Sequence, residues 1–249
     1  MKIRIKFRKY GVMKFIGHLD IMRYFQKAIR RAEIDIAYTE GFSPHQIMSF
    51  AAPLGVGIIS DGEYLDIEVK STRTSQESID ALNSVMVDGI EITDYVELTE
   101  GAKKAMSIVA AAEYNVWFKE GKDPVFTPDE ITAGIKSYFE DREEILITKQ
   151  TKKSERQIDV HPHIFSFDSY EGTGESGSHV YGFHFLLSAG SEENIKPELI
   201  VEDFCRFFGK EFQAFDYQIQ RKDVYAKNGA GIFVPLTNFG RKIVKECQS

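Results

Sequence analysis

The chain has 249 residues, 43% hydrophobic and 28% charged, with a formal net charge of -7. This composition excludes a largely disordered protein and suffices for one large domain or two small ones. Charged and apolar residues alternate from Met1 to Arg8, and no stretch approaches the ~20 apolar residues of a membrane helix. We therefore expect a cytoplasmic protein without a membrane partner. Cys205 and Cys247 are too few for a four-thiolate metal site, so no cofactor and no metal are expected.

Positive charge is concentrated at the start of the chain. Residues 1 to 50 hold ten Lys or Arg against four Asp or Glu. In residues 2 to 8, apolar side chains alternate with cations, which predicts a strand with one apolar and one cationic face. The cations of this strand are Lys2, Arg4, Lys6 and Arg8. A helix from Leu19 carries its cations opposite its apolar side. The cations of this helix are Arg23, Lys27, Arg30 and Arg31.

The order of predicted elements occurs twice. In the first half we predict strands at residues 34–38, 46–51, 64–70 and 90–98, with a second helix at 75–86. In the second half we predict strands at 111–119, 144–149, 157–167, 180–188 and 215–225, helices at 128–139 and 195–208, and a flexible hairpin loop at 170–178.

Small and polar residues at 99–107 predict a linker between a unit at 1–100 and a unit at 108–249. The fold class expected from this order is α+β. Two tandem ferredoxin-like sandwiches, each βαββαβ with an antiparallel sheet, fit it.

Each group of cations has two interpretations. The strand cations either line an open sheet face that binds RNA or pair with Asp66 and Glu68 across the sheet. The helix cations repel one another by about 0.2 to 0.5 kcal/mol per pair, which favours an anionic partner, although a solvated face is the alternative. A second basic segment is either a solvated hairpin tip or a mobile hairpin that binds a phosphate backbone. Its cations are Lys149, Lys152, Lys153 and Arg156.

Two histidines are candidates for chemistry. His18 comes just before the helix, and His45 follows Pro44 in a turn-rich segment. Each is either a hydrogen-bonded structural residue or a general base. If the two rings converge, a phosphate fits between them.

Several short motifs resemble the radical SAM-linked protein family, an uncharacterised domain found alone or fused behind cobalamin-binding radical SAM proteins. The motifs are Gly17-His18-Leu19-Asp20, Gly41-Phe42-Ser43-Pro44-His45, Ser49-Phe50-Ala51 and Gly62-Glu63-Tyr64-Leu65-Asp66. The resemblance is specific over about residues 2 to 70. Gln46 departs from it, since a Pro is expected there.

The resemblance implies an association with radical SAM enzymes and with RNA metabolism. The chain lacks a C-x-x-x-C-x-x-C signature, so it serves such an enzyme without performing the radical chemistry itself. Our first hypothesis is a non-catalytic protein that presents RNA to a radical SAM partner. The alternatives are a metal-independent endoribonuclease using His18 or His45, and a protein-interaction module without RNA contact. The sequence does not indicate an oligomeric state.

Overall fold

The computed structural model describes residues 1–150, 155–191 and 193–245. It is a mixed α/β protein with a large, mostly antiparallel sheet. The strands are β1 (Lys2–Lys9), β2 (Met48–Phe50), β3 (Ile59–Glu68), β4 (Ile90–Leu98), β5 (Val109–Phe118), β6 (Leu146–Gln150), β7 (Glu155–Asp159), β8 (Ile164–Thr173), β9 (His179–Ser188), β10 (Tyr217–Lys227), β11 (Phe233–Pro235) and β12 (Gly240–Arg241). The α-helices are α1 (His18–Arg31), α2 (Ser75–Asn83), α3 (Ala105–Ile108), α4 (Pro128–Ile135) and α5 (Pro197–Phe207).

The chain divides into two compact units. Unit 1 is Met1–Ala110 together with the chain from Asp223 onward, and unit 2 is Ala111–Lys222. In unit 1, β1 lies between β3 and β4 and is antiparallel to both, and β2 pairs with β3. In unit 2, β5 and β8 both pair with β9, and β10 lies on the other side of β5.

The core of unit 1 forms where the apolar face of β1 meets α1. The period-two pattern of the strand and the helical period of α1 direct their apolar residues to the same layer. The buried members of this layer include Ile3, Ile5, Phe7, Ile21, Phe25 and Ile29. This outcome confirms the predicted strand and the predicted apolar side of the helix. The α1 cations consequently face away from the core.

Unit 2 has an aromatic core. Phe204 of α5 packs edge-on against Phe167, Phe183 and Tyr138, with ring centroids 5.8, 5.2 and 5.2 Å away. Within this core, the Tyr138 hydroxyl donates to Asp203 at 2.8 Å. Burial raises the pKa of Tyr138, so the phenol stays a hydrogen-bond donor.

Several predicted elements differ from the observed ones. Residues 34–38 form only isolated bridges, Ile36 with Val69 and Tyr38 with Gln46, in place of a strand. The flexible loop predicted at 170–178 is shorter, because β8 and β9 continue pairing as far as Thr173 and His179. Here cross-strand pairing outweighs the local preference of glycine for turns.

The fully buried Arg4 connects several segments of unit 1. Its guanidinium donates to both carboxylate oxygens of Asp66, at 2.8 and 3.0 Å, and to the carbonyl oxygens of Leu236 and Lys103, at 3.0 and 3.1 Å. The second Asp66 oxygen also accepts from the Ala105 amide at 2.7 Å. Four segments of unit 1 therefore meet at one ion pair, which we call the Arg4 network.

The Arg4 network explains where the units divide. The segment expected to be a free linker contributes the Lys103 carbonyl and the buried Ala105 at the start of α3. The segment after Asp223 belongs to the second predicted unit, 108–249. In the structure it supplies the Leu236 carbonyl and groups with unit 1. A buried guanidinium requires these acceptors.

Among the residues that the structure describes, no helix has both the length and the apolar composition needed to cross a bilayer.

Replacing Arg4 by Met should destabilise the protein by about 3–5 kcal/mol, because it leaves the Asp66 carboxylate buried without its charge partner. Urea unfolding followed by circular dichroism measures this. The matched control is Arg241→Met, which removes an exposed arginine 3.0 Å from Glu97 and should cost at most about 1 kcal/mol. Equal costs for the two variants would show that the Arg4 network contributes no special stability.

Candidate nucleic-acid interface

The β1 cations Arg4, Lys6 and Arg8 are engaged within unit 1. Arg4 is buried in its network, Lys6 lies 2.6 Å from Asp223, and Arg8 lies 3.1 Å from Asp61 and 3.0 Å from Glu91. The expectation of an open cationic sheet face is therefore wrong for Arg4, and Lys6 and Arg8 are already neutralised. Of the two partners expected from the sequence, Asp66 pairs with Arg4, whereas Lys6 and Arg8 pair with other carboxylates.

Asp223 is further fixed by Tyr64, whose hydroxyl donates to its other carboxylate oxygen at 2.6 Å. Burial, and then the negative charge of Asp223, raise the pKa of Tyr64. The phenol consequently remains protonated and holds Asp223 in position for Lys6. These contacts assign structural roles to Arg4, Lys6 and Arg8.

The cations of α1 form an exposed ridge, which we call the α1 ridge: Arg23, Lys27, Arg30 and Arg31. Arg23 lies 3.3 Å from the exposed Asp20 within the same helix, an arrangement that contributes little in water. Arg31 donates to the Val85 carbonyl at 3.0 Å. Within residues 1–150, 155–191 and 193–245, the side chains of Lys27 and Arg30 have no hydrogen bond or ion pair. The ridge can therefore bind an anion without first breaking an internal ion pair at its centre.

Spacing along the helix places three of these cations on one face. Arg23, Lys27 and Arg30 are at positions i, i+4 and i+7, which align on successive turns. Asp20 is the only carboxylate within α1, one turn before Arg23. The face therefore presents three cations in a row.

His18 lies at the start of α1, half-buried, with its ring edge-on to Phe50 at a centroid distance of 5.2 Å. It lines a cavity of about 20 Å³ together with the buried Lys9 and the buried Glu63. The Lys9 amine donates to the Ile16 carbonyl at 2.8 Å, and Glu63 accepts from Ser60 at 2.6 Å. The space inside this cavity holds about one water molecule.

Sequence reasoning missed Lys9 and Glu63, although a signal was present. Lys9 continues the inward phase of β1 after Ile3, Ile5 and Phe7, and Glu63 precedes the inward Leu65 by two residues on β3. A charged residue in the apolar phase of a half-buried strand indicates a buried polar cluster. The motif residues Gly17 and His18 lie beside this cluster, at the entry to α1.

His45 lies elsewhere in unit 1. Its ring nitrogen Nδ1 is 3.1 Å from the Thr39 hydroxyl and 3.4 Å from the Ser43 carbonyl, and its amide donates to the same hydroxyl at 3.1 Å. His18 and His45 have no partner in common among these contacts. The structure therefore gives no support to a phosphate held between the two rings.

The remaining motif residues serve the entry to α1 and the loop around His45. The Gly17 carbonyl accepts from the Asp20 and Ile21 amides at 3.1 and 3.0 Å, and Leu19 is 62% exposed. Residues 39–45, which we call the Phe42 loop, contain Gly41, Phe42, Ser43 and Pro44. Gln46, at the position that departs from the resemblance, is buried and donates to the Gln26 carbonyl of α1 at 3.2 Å.

The second basic segment is only partly described. Lys149 and Arg156 lie opposite each other on the paired strands β6 and β7. Lys152 and Lys153 lie outside the described residues, and the structure describes only the backbone of Lys149 and Arg156. Phosphate binding by this segment stays a prediction.

Comparison with known proteins identifies the family. A family described as an uncharacterized protein conserved in bacteria (DUF2344) matches residues 2–197. The chain belongs to this family. No curated protein matches the sequence. A crystal structure of an unknown protein from Galdieria sulphuraria aligns with 88% of this chain and 96% of that chain at 10% identity, with a TM-score of 0.24 that is too low to show a shared fold.

Replacing Lys9 by Met should cost about 1–3 kcal/mol in the free energy of unfolding, because buried acceptors at the entry to α1 lose their donor. Urea unfolding measures the loss. Lys27→Met is the control, since it removes the same charge from an exposed position and should stay within about 0.5 kcal/mol of the parent protein. If both variants unfold at the same urea concentration, Lys9 does not fix the start of α1.

Proposed function

We propose that this DUF2344 protein is a cytoplasmic, RNA-binding accessory protein that contacts phosphates through the α1 ridge. The observation that carries the proposal is the contrast between the two cationic groups. The β1 cations Arg4, Lys6 and Arg8 have carboxylate partners, whereas Lys27 and Arg30 are exposed without one in the described part of the chain. Cations that have no carboxylate partner within the fold can contact the phosphates of a polyanion.

The acidic character of the whole chain supports a localised contact. At a net charge of -7, the chain as a whole has no general attraction for polyanions. Attraction then depends on local basic segments such as the ridge and that of Lys149, Lys152, Lys153 and Arg156. A local concentration of positive charge favours binding of RNA in one orientation over non-specific binding across the whole surface.

The proposed role is presentation of RNA and not its cleavage. A metal-independent nuclease needs a base and a cationic group around one phosphate. His18 instead lines a cavity with Lys9 and Glu63, and His45 is hydrogen-bonded to Thr39 in its own loop. These surroundings favour structural roles for both rings.

The partner that we propose is a radical SAM enzyme, on the basis of the motif resemblance alone. The chain's two cysteines cannot supply the three thiolates of a radical SAM cluster, so the partner would bring the cluster. Affinity purification after crosslinking in cells, with mass spectrometry of the captured proteins, tests this. Recovery of RNA without any iron–sulfur protein would remove the radical SAM part of the proposal.

We also propose that each unit is a ferredoxin-like sandwich. The order β4-β1-β3-β2 in unit 1 and the order β10-β5-β9-β8 in unit 2 support it, since both follow the same pattern of fourth, first, third and second strand. An experimental structure in which either unit departs from this pattern would refute the proposal.

A protein-docking module is the second candidate function. Several apolar side chains near the start of α1 are exposed by 62 to 75%: Val12, Phe15, Leu19 and Val56. The Gly57 amide donates to the Lys14 carbonyl at 2.8 Å, which brings the segment of Val56 next to that of Phe15. A partner that co-purifies after complete RNA digestion would favour docking, whereas loss of all partners on digestion would favour RNA.

Changing Arg23, Lys27 and Arg30 together to Ala should weaken binding of single-stranded RNA and reduce the slope of log K against log salt by about 2, because up to three phosphate contacts are lost at ~0.7 each. Fluorescence anisotropy over a salt series measures both quantities.

The charge-matched control changes Arg241, Lys242 and Lys245 to Ala, because each already lies within 4.0 Å of a carboxylate, on Glu97, Asp94 and Glu77 respectively. It should leave the slope nearly unchanged. An unaltered affinity in the ridge variant, or an equal loss in the control, would contradict binding by the α1 ridge.

A further inference from the structure

The Phe42 loop presents an aromatic ring to water. Phe42 is fully exposed, although complete burial of such a side chain would contribute about 1.5–3 kcal/mol to stability. Its ring makes no aromatic contact within the described residues. The fold therefore gains nothing from an aromatic residue at this position.

The loop holds Phe42 in place without burying it. The Thr39 amide donates to the His45 carbonyl at 2.9 Å, and the Thr39 hydroxyl accepts from the His45 amide at 3.1 Å. Gly41 has a φ of 107°, a left-handed conformation that glycine adopts without strain, and Pro44 has a fixed φ. The neck of the loop is closed, which reduces the conformational entropy lost when the ring meets a ligand.

The neck of the loop is attached to α1 beside the ridge. Tyr38 and Gln46 form the bridge that closes the loop, and the Gln46 side chain donates to the Gln26 carbonyl in the middle of the helix. Lys27 directly follows Gln26. Arg23 lies three positions before Gln26, and Arg30 lies four positions after it. One hydrogen bond thus ties the segment that carries Phe42 to the segment that carries the cations.

We propose that Phe42 stacks against an unpaired base of an RNA strand whose phosphates lie on the α1 ridge. The proposal rests on the RNA-binding function and narrows it to single-stranded RNA, because the bases of a duplex do not offer a free face. Stacking on an aromatic side chain tolerates any base. The site would therefore bind unpaired RNA with little sequence preference, and His45 would act as a positioning residue by closing the loop.

The chemistry of the loop favours RNA over a protein partner. A protein-docking surface normally offers several apolar side chains around its anchor. The neighbours of Phe42 in the loop are instead polar or small, apart from Pro44. A single flat ring near a row of cations matches alternating bases and phosphates.

The test compares Phe42→Ala with Phe42→Trp and with Phe215→Ala, the last a control that removes an 87% exposed phenylalanine from unit 2. The probes are a labelled single-stranded RNA of about ten nucleotides, within the range of known single-strand sites, and an RNA duplex of the same length. Anisotropy gives the affinity for each, and urea unfolding checks that the variants are folded.

We expect Phe42→Ala to weaken single-strand binding about 5- to 100-fold, to leave duplex binding within about twofold, and to be rescued by Trp. Thr39→Val, which removes the hydroxyl that holds His45, should weaken single-strand binding in the same direction by a smaller factor, because the loop loses its closure.

Equal single-strand affinities for Phe42→Ala and Phe215→Ala would overturn the stacking role. If the ridge variant still weakens binding in that case, the proposed function stands and this inference alone fails. If the parent protein binds neither probe, both fail. If Phe42→Ala leaves RNA affinity unchanged and abolishes capture of a protein partner after RNA digestion, Phe42 is a protein anchor instead.

Discussion

The ion pair between Arg4 and Asp66 is the constraint on which the arrangement of unit 1 depends. A fully buried guanidinium is tolerated only when its charge and its donors are satisfied. Here the acceptors come from β3, from the chain before α3 and from the turn at Leu236. The last segment of the chain therefore packs with the first strand, and Arg4 on the outward face of β1 is part of the interior. Because Arg4, Lys6 and Arg8 are engaged there, α1 carries the exposed cationic ridge.

Local patterns predicted the elements that local physics determines. The alternation in β1 and the helical period of α1 identified the core of unit 1 and the exposed side of the helix, because side-chain direction follows the backbone period. The partners of Arg4 lie 62, 99 and 232 residues away in sequence. No periodicity reports on such contacts. For that reason the sequence left the β1 cations between two interpretations.

In the candidate site, too, the sequence predicted what local periodicity determines and not what distant contacts determine. Exposure of the α1 ridge followed from the helical period, but the surroundings of His18 and His45 depended on tertiary contacts. His18 lies beside the Lys9 and Glu63 cluster, whose signal was a charge in the apolar phase of each strand. His45 closes the neck of the loop that presents Phe42. Residues that looked like candidates for catalysis thus hold local structure: His18 lies at the entry to α1, and His45 closes a loop that the Gln46 side chain joins to α1.

Ultraviolet crosslinking of the intact protein to single-stranded RNA, with mass spectrometry to locate the crosslinked peptides, tests the central claim most directly. It reports which residues touch the nucleic acid, independently of stability or affinity. The account predicts crosslinks in residues 18–31 and 39–45, with none from the buried cations of β1. Crosslinks confined to other parts of the chain, or none above an unirradiated control, would contradict RNA binding at the α1 ridge.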